Sequence, residues 1–160
     1  IDSAQVQRRV LPSCANGGAI RAINADGSVD CTVAPNAVFA SASAGTAIPA
    51  TLSFIGPSAS VAITTGQRIH VTAHAALGAG VNAATSLNLY ICHRASGGPL
   101  TTVGGGVFGL TSPANQRHLY GLSAVATGLA AGTYQVGLCG STSNANWNNN
   151  DFAYVSALVL

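Results

Sequence analysis

The sequence predicts an all-β protein, a sandwich or a barrel, on three grounds. Strong helix formers are scarce: 160 residues include 19 Gly and 6 Pro but no Lys, Glu or Met, which leaves little to build a helical bundle from. Short apolar runs recur along the chain, each closed by Gly, Pro, Ser or Asn, the spacing of a many-stranded β architecture. Within the runs apolar and polar residues alternate. Ile69, Val71, Ala73 and Ala75 share one parity and His70, Thr72 and His74 the other, the period of two that half-buried antiparallel strands require.

Two parts are expected, 1–34 and 35–160. The first begins with IDSAQVQRRVLPS, the least β-like stretch. Asp2 or Ser3 can cap a short helix there, with Ile1, Val6 and Val10 as a rough apolar stripe and Pro12 ending it. A helix this short is unstable alone, so it is expected as the end of a longer stalk or as a segment ordered by partner chains. In CANGGAIRAINADGSVDC, strands over 19–24 and 28–32 flank Ala25-Asp26-Gly27, and Asp-Gly is a strong hairpin signal. Cys14 and Cys31 fall near the open end of that hairpin. A two-stranded hairpin is marginal in water, and a bridge there adds about 3 kcal/mol in the chain-entropy model.

In the second part strands are expected over 37–43, 51–54, 60–64, 68–77, 86–94, 100–107, 117–127, 133–139 and 152–160. Leu87, Leu89 and Ile91 oppose Asn88, Tyr90 and Cys92, and Tyr134, Val136 and Leu138 oppose Gln135, Gly137 and Cys139. Cys92 and Cys139 thus lie on the non-aliphatic faces of their strands. If those strands are neighbours in one sheet a bridge forms easily; if they lie in opposite sheets it forms only at a rim. The even cysteine count, without CxxC or zinc spacing, suits an oxidising, extracellular compartment. The chain starts at Ile1, so a signal peptide, if one exists, is expected to lie outside this sequence.

Charge narrows the function classes. Only 6% of residues are charged, with net charge +2, and scattered Arg forms no basic stripe, so no nucleic-acid partner is expected. No apolar run reaches the roughly 18–20 residues that span a bilayer, so no membrane insertion is expected either.

Two resemblances add to this reading. QVQRRV…C..G.AIRAINADGSV.C, within residues 1–33, resembles a short motif of bacterial surface and secreted proteins that follows repetitive stalks and precedes a C-terminal globular head. Across 36–160, three blocks resemble the superfamily of complement-type globular heads and tumour necrosis factor. GQRIHVTAHAAL looks like that family's long central strand, and SLNLYICHRASGGPL like its next strand. LAAGTYQVGLC and FAYVSALVL look like its L-x-x-G-D-x-V strand and its hydrophobic last strand, with Gly-Thr-Tyr where the family often has Gly-Asp. The resemblance implies an antiparallel jelly-roll β-sandwich and a homotrimer with the apolar C-terminal strand inside.

Catalytic chemistry has few candidates. The acids are Asp2, Asp26, Asp30 and Asp151, so 35–160 holds no carboxylate pair for acid/base hydrolysis and no Ser/His/Asp set beyond Asp151. There is no GxSxG elbow, and with no lysine there is no phosphate-binding P-loop. No enzyme activity, cofactor or metal is expected. His70 and His74 share a strand face about 13 Å apart, too far for one metal within a chain. His93 and His118 have no ligand-spaced neighbours.

STSNANWNNNDF, 141–152, is the most distinctive loop, with the sole Trp and five Asn. Asn suits structured turns, which would make Trp147 a packing residue. Alternatively, the amides of Asn146, Asn148, Asn149 and Asn150 donate to and accept from sugar hydroxyls, Trp147 stacks on a pyranose, and Asp151 contributes a polar contact or, with another chain's help, a weak calcium site. Charged ligands are disfavoured because no charge cluster is present. The expectation is a secreted or surface-displayed trimeric head acting in adhesion or in recognition of a glycan or surface receptor. A purely structural cap and the receptor-binding tip of a phage-tail-like fibre are the alternatives.

Overall fold

The structure, a computed structural model, describes residues 13–14, 18–32 and 35–160. The chain divides into two units, Ile1–Asn36 and Ala37–Leu160. The stalk-end segment expected over 1–13 lies outside the described residues except at Ser13.

In the first unit β1 (Ile20–Ile23) and β2 (Val29–Cys31) pair antiparallel, Ile23 opposite Val29. The turn between them follows from two side chains. Asp26 Oδ1 accepts hydrogen bonds from the Ser28 N–H at 2.9 Å and the Ser28 hydroxyl at 2.7 Å. These bonds, the hydroxyl's first, hold the Asp26 carboxyl below the usual carboxylate range. Gly27 takes φ +87°, which a residue with a Cβ resists. Cys14 and Cys31 are bridged, with Cα atoms 5.6 Å apart.

The second unit contains β3 (Asn36–Ser43, whose first residue belongs to the first unit), β4 (Ser53–Phe54), β5 (Ala59–Ile63), β6 (Ile69–Gly78), β7 (Ala84–Ala95), β8 (Thr101–Ser112), β9 (Arg117–Ala126), β10 (Gly132–Ser141) and β11 (Phe152–Val159). One sheet has the order β3-β11-β6-β9. The other has the order β4-β10-β7-β8, with β5 also on β10. The pairs β11–β6, β6–β9, β10–β7 and β7–β8 are antiparallel, and the chain passes repeatedly from one sheet to the other. This is an antiparallel jelly-roll β-sandwich.

Alternation decides which face enters the core. Ile69, Val71, Ala73, Ala75 and Leu77 of β6 are buried, as are Ala153, Val155, Ala157 and Val159 of β11. Facing them are Leu87, Leu89 and Ile91 of β7 and Val136 and Leu138 of β10. The inner face of β6 and β11 mixes Ala with Ile, Val and Leu, and it packs against the larger Leu and Ile side chains of β7 and β10 in one core. Ala73, Ala75, Ala153 and Ala157 thus belong to the core.

Strand β8 corrects one expectation. It is expected over 100–107, yet it continues to Ser112. It does so through register shifts against β7, between Ala84 and Leu87, Leu87 and Leu89, and Leu89 and Ile91. Bulges of this kind accommodate extra residues and twist an edge strand away from intermolecular pairing. Gly106, at φ +76°, has the Tyr90 ring where a Cβ would stand. Cys92 and Cys139 lie on the neighbouring strands β7 and β10 and are bridged. Both are fully buried.

Candidate functional site

The loop from 141 to 151 closes one end of the sandwich, where β6, β8 and β10 finish and β7, β9 and β11 begin. Trp147 is 0% exposed and belongs to the core. Its Nε1–H donates to the Thr85 carbonyl at 2.9 Å, and the Tyr120 ring stands edge-on to it at 6.0 Å. The expectation that Trp147 offers an indole face to a sugar is therefore corrected: both faces are covered by protein.

The flanking amides bind the chain's own backbone. Asn146 Nδ2 donates to the Ala83 carbonyl and Asn148 Oδ1 accepts from the Gly80 N–H. Asn149 Nδ2 donates to Ala79 O. Asn150 accepts from the Gly78 N–H and donates to Trp147 O. Arg117 reaches from β9 to Asn149 O, Asn149 Oδ1 and the Asp151 carboxylate. Each predicted contact residue is thus engaged in tying the β10–β11 loop to the β6–β7 turn and to β9. The six residues are brought together, but as a structural strap rather than a ligand surface.

A different surface has the properties of a site. On β11 the side chains of Phe152, Tyr154, Ser156 and Leu158 alternate with the buried set and face outward. Register places His74 beside Tyr154 and His70 beside Leu158, then Val125, Ser123 and Gly121 of β9 beyond β6. Phe39, from β3, stacks on Tyr154 at 6.3 Å. His74 stacks on the same ring at 5.1 Å, and Phe152 lies 6.0 Å away. Phe39 is 64% exposed and Leu119 70%. A groove of about 360 Å³ continues the face between Phe39, His70, Thr72 and Leu158. Among the outward positions of these strands the one charged side chain is Arg117, at the start of β9, and it is paired with Asp151. The aromatic and aliphatic side chains thus form a contiguous exposed face with a single, paired charge at its margin.

The histidines take ordinary partners. His70 Nε2 and the Ser123 hydroxyl are 2.9 Å apart, and His118 is edge-on to Tyr120. His93 packs against Tyr134, its Nδ1 is buried without a partner, and burial pushes its imidazole pKa down. Among the described residues no group of three His, Cys, Asp or Glu is placed to hold a metal ion. Sequence reasoning singled out the last strand but missed Phe39 and His74 as its companions, because only the sheet order brings them to Tyr154.

Neither a known protein family nor a curated protein matches the sequence. Among solved structures, one of infectious bursal disease virus, Gx strain, is similar over 82% of this chain and 33% of the viral chain, at 14% identity and a TM-score of 0.47. The chain therefore spans about a third of the length of that protein. A second, of Bacillus endospore appendages described as a novel family of disulfide-linked pili, is similar over 92% of this chain and 95% of the other, at 14% identity and a TM-score of 0.29. Neither identifies the chain.

Proposed function

We propose that the chain is a non-enzymatic, homotrimeric head of a secreted or surface-displayed stalk protein, acting in adhesion or ligand recognition. One observation carries the self-association: the uncharged face of Phe39, Tyr154, His74 and Phe152 on the sheet β3-β11-β6-β9. A second copy is the occupant that meets such a face while its one marginal charge, Arg117, stays paired with Asp151. Three copies follow from the resemblance to complement-type and tumour-necrosis-factor heads, which the alternation of strands between two sheets and the inner position of β11 support. The two disulfides support an oxidising, extracellular setting. The pairing of Asp151, the head's sole acid, with Arg117 supports a non-catalytic role.

A second reading is a structural trimerisation cap that binds nothing. The internal engagement of the 141–151 loop favours it. Sedimentation equilibrium at micromolar concentration tests the shared premise. The expected mass is three times the 15.8 kDa of one chain, and a monomer overturns both readings.

A further inference from the structure

On the outer face of the other sheet, register aligns three polar side chains from adjacent strands. Gln135 of β10 lies between Ser60 of β5 and Arg94 of β7. Together with Ser96, Thr133 and the Gly97-Gly98 turn they line an open cleft of about 520 Å³, the size of a small-molecule site. Arg94 is held in place on two sides. Its Nε donates to Gln135 Oε1 at 3.1 Å and its Nη2 to the same oxygen, while its guanidinium lies 5.6 Å from the centre of the Phe54 ring. The ion pair found among the described residues is Arg117–Asp151, so Arg94 is half-buried with no carboxylate of the described chain against it. No acceptor among the described residues meets its Nη1.

A guanidinium fixed along its Nε edge presents its terminal fork, the geometry that takes a carboxylate through two parallel hydrogen bonds. Ser60, Ser96 and Thr133, from three segments, line the same cleft, and a hydroxyl both donates and accepts. A carboxylate alone uses the arginine and leaves these hydroxyls to water. A polyhydroxylated carboxylate uses both. We propose that this cleft is a binding site for an acidic sugar residue, its carboxylate on Arg94 and its ring hydroxyls on Ser60, Ser96 and Thr133. The site reverses the expectation that charged ligands are disfavoured, because one positioned, unneutralised arginine supplies what a charge cluster would. It lies on the sheet opposite the self-association face, so it stands whether or not the head is a trimer.

Isotope-labelled full chain is titrated with glucuronate, glucose and acetate, and amide shifts are followed. The expected result is saturable movement of the Ser96, Gly97 and Gly98 amides, with glucuronate binding about tenfold or more tightly than either control, as hydrogen bonds to a charged group require. Arg94→Gln reduces glucuronate to the level of glucose. Arg94→Lys, which keeps the charge and loses the fork, falls between, and it decides the matter if Arg94→Gln misfolds. Absence of saturable shifts at the cleft, equal binding of acetate and glucuronate, or full affinity in both arginine variants overturns the proposal.

Discussion

Replacing Trp147 with alanine separates a core residue from a ligand platform. The side chain is fully buried, and a buried Trp→Ala truncation costs about 3–5 kcal/mol through lost transfer energy and the cavity left behind. The lost indole hydrogen bond adds little, because the Thr85 carbonyl still accepts from the Thr142 hydroxyl at 3.2 Å. For a head of this size the expected loss of melting temperature is about 10–20 °C. Trp147→Phe, which keeps a ring against Tyr120, should lose about 1–2 kcal/mol. Far-UV circular dichroism melts at one fixed protein concentration measure both variants, since self-association makes melting depend on concentration. Trp147 is the sole tryptophan, so resistance of the wild-type fluorescence to acrylamide quenching gives an independent check. A melting temperature within about 3 °C of wild type for Trp147→Ala, or free quenching, refutes the buried placement and restores the loop as a candidate surface.

Three further outcomes are expected. The double variant Cys92→Ala/Cys139→Ala opens a link spanning 47 residues and should destabilise the head by about 4 kcal/mol in the chain-entropy model, read by denaturant unfolding. Cys14→Ser/Cys31→Ser should loosen the hairpin and leave the head's melting unchanged, since the bridge lies within the first unit; amide exchange of Ile23 and Val29 reports the first effect and calorimetry the second. Burial lowers the His93 pKa in the folded state, so the unfolded chain binds more protons below its own value of about 6.5. Stability present above about pH 6.5 should therefore decline as pH falls through the folded value. His93→Gln should reduce that slope, measured as melting temperature between neutral and mildly acidic pH.

The strands were legible because burial on one face imposes a period of two, and Ile69 to Leu77 or Leu87 to Ile91 repeat it without interruption. Strand β8 was under-read past 107 because its bulges break the period and its glycines resemble turns. The Asn-rich loop was visible as a feature but its role was not. Composition shows that amides and an indole are present, while their partners, Gly78, Ala79, Gly80, Ala83 and Thr85, come from a turn distant in sequence. The aromatic face and the Arg94 cleft were invisible for the same reason. Phe39 meets Tyr154, and Ser60 meets Gln135 and Arg94, only through sheet order and register.

The most direct test of the account is the mass of Tyr154→Arg beside that of Val81→Arg. Tyr154 is the ring on which Phe39 and His74 stack. Val81 is an equally apolar site, 82% exposed, in the turn between β6 and β7 and off the sheet face. Burying an arginine against a copy of the same face costs several kcal/mol, so Tyr154→Arg should sediment as a folded 15.8 kDa monomer while Val81→Arg keeps three times that mass. A Tyr154→Arg protein that retains the trimer mass, or a Val81→Arg protein that dissociates, contradicts the assignment of this face.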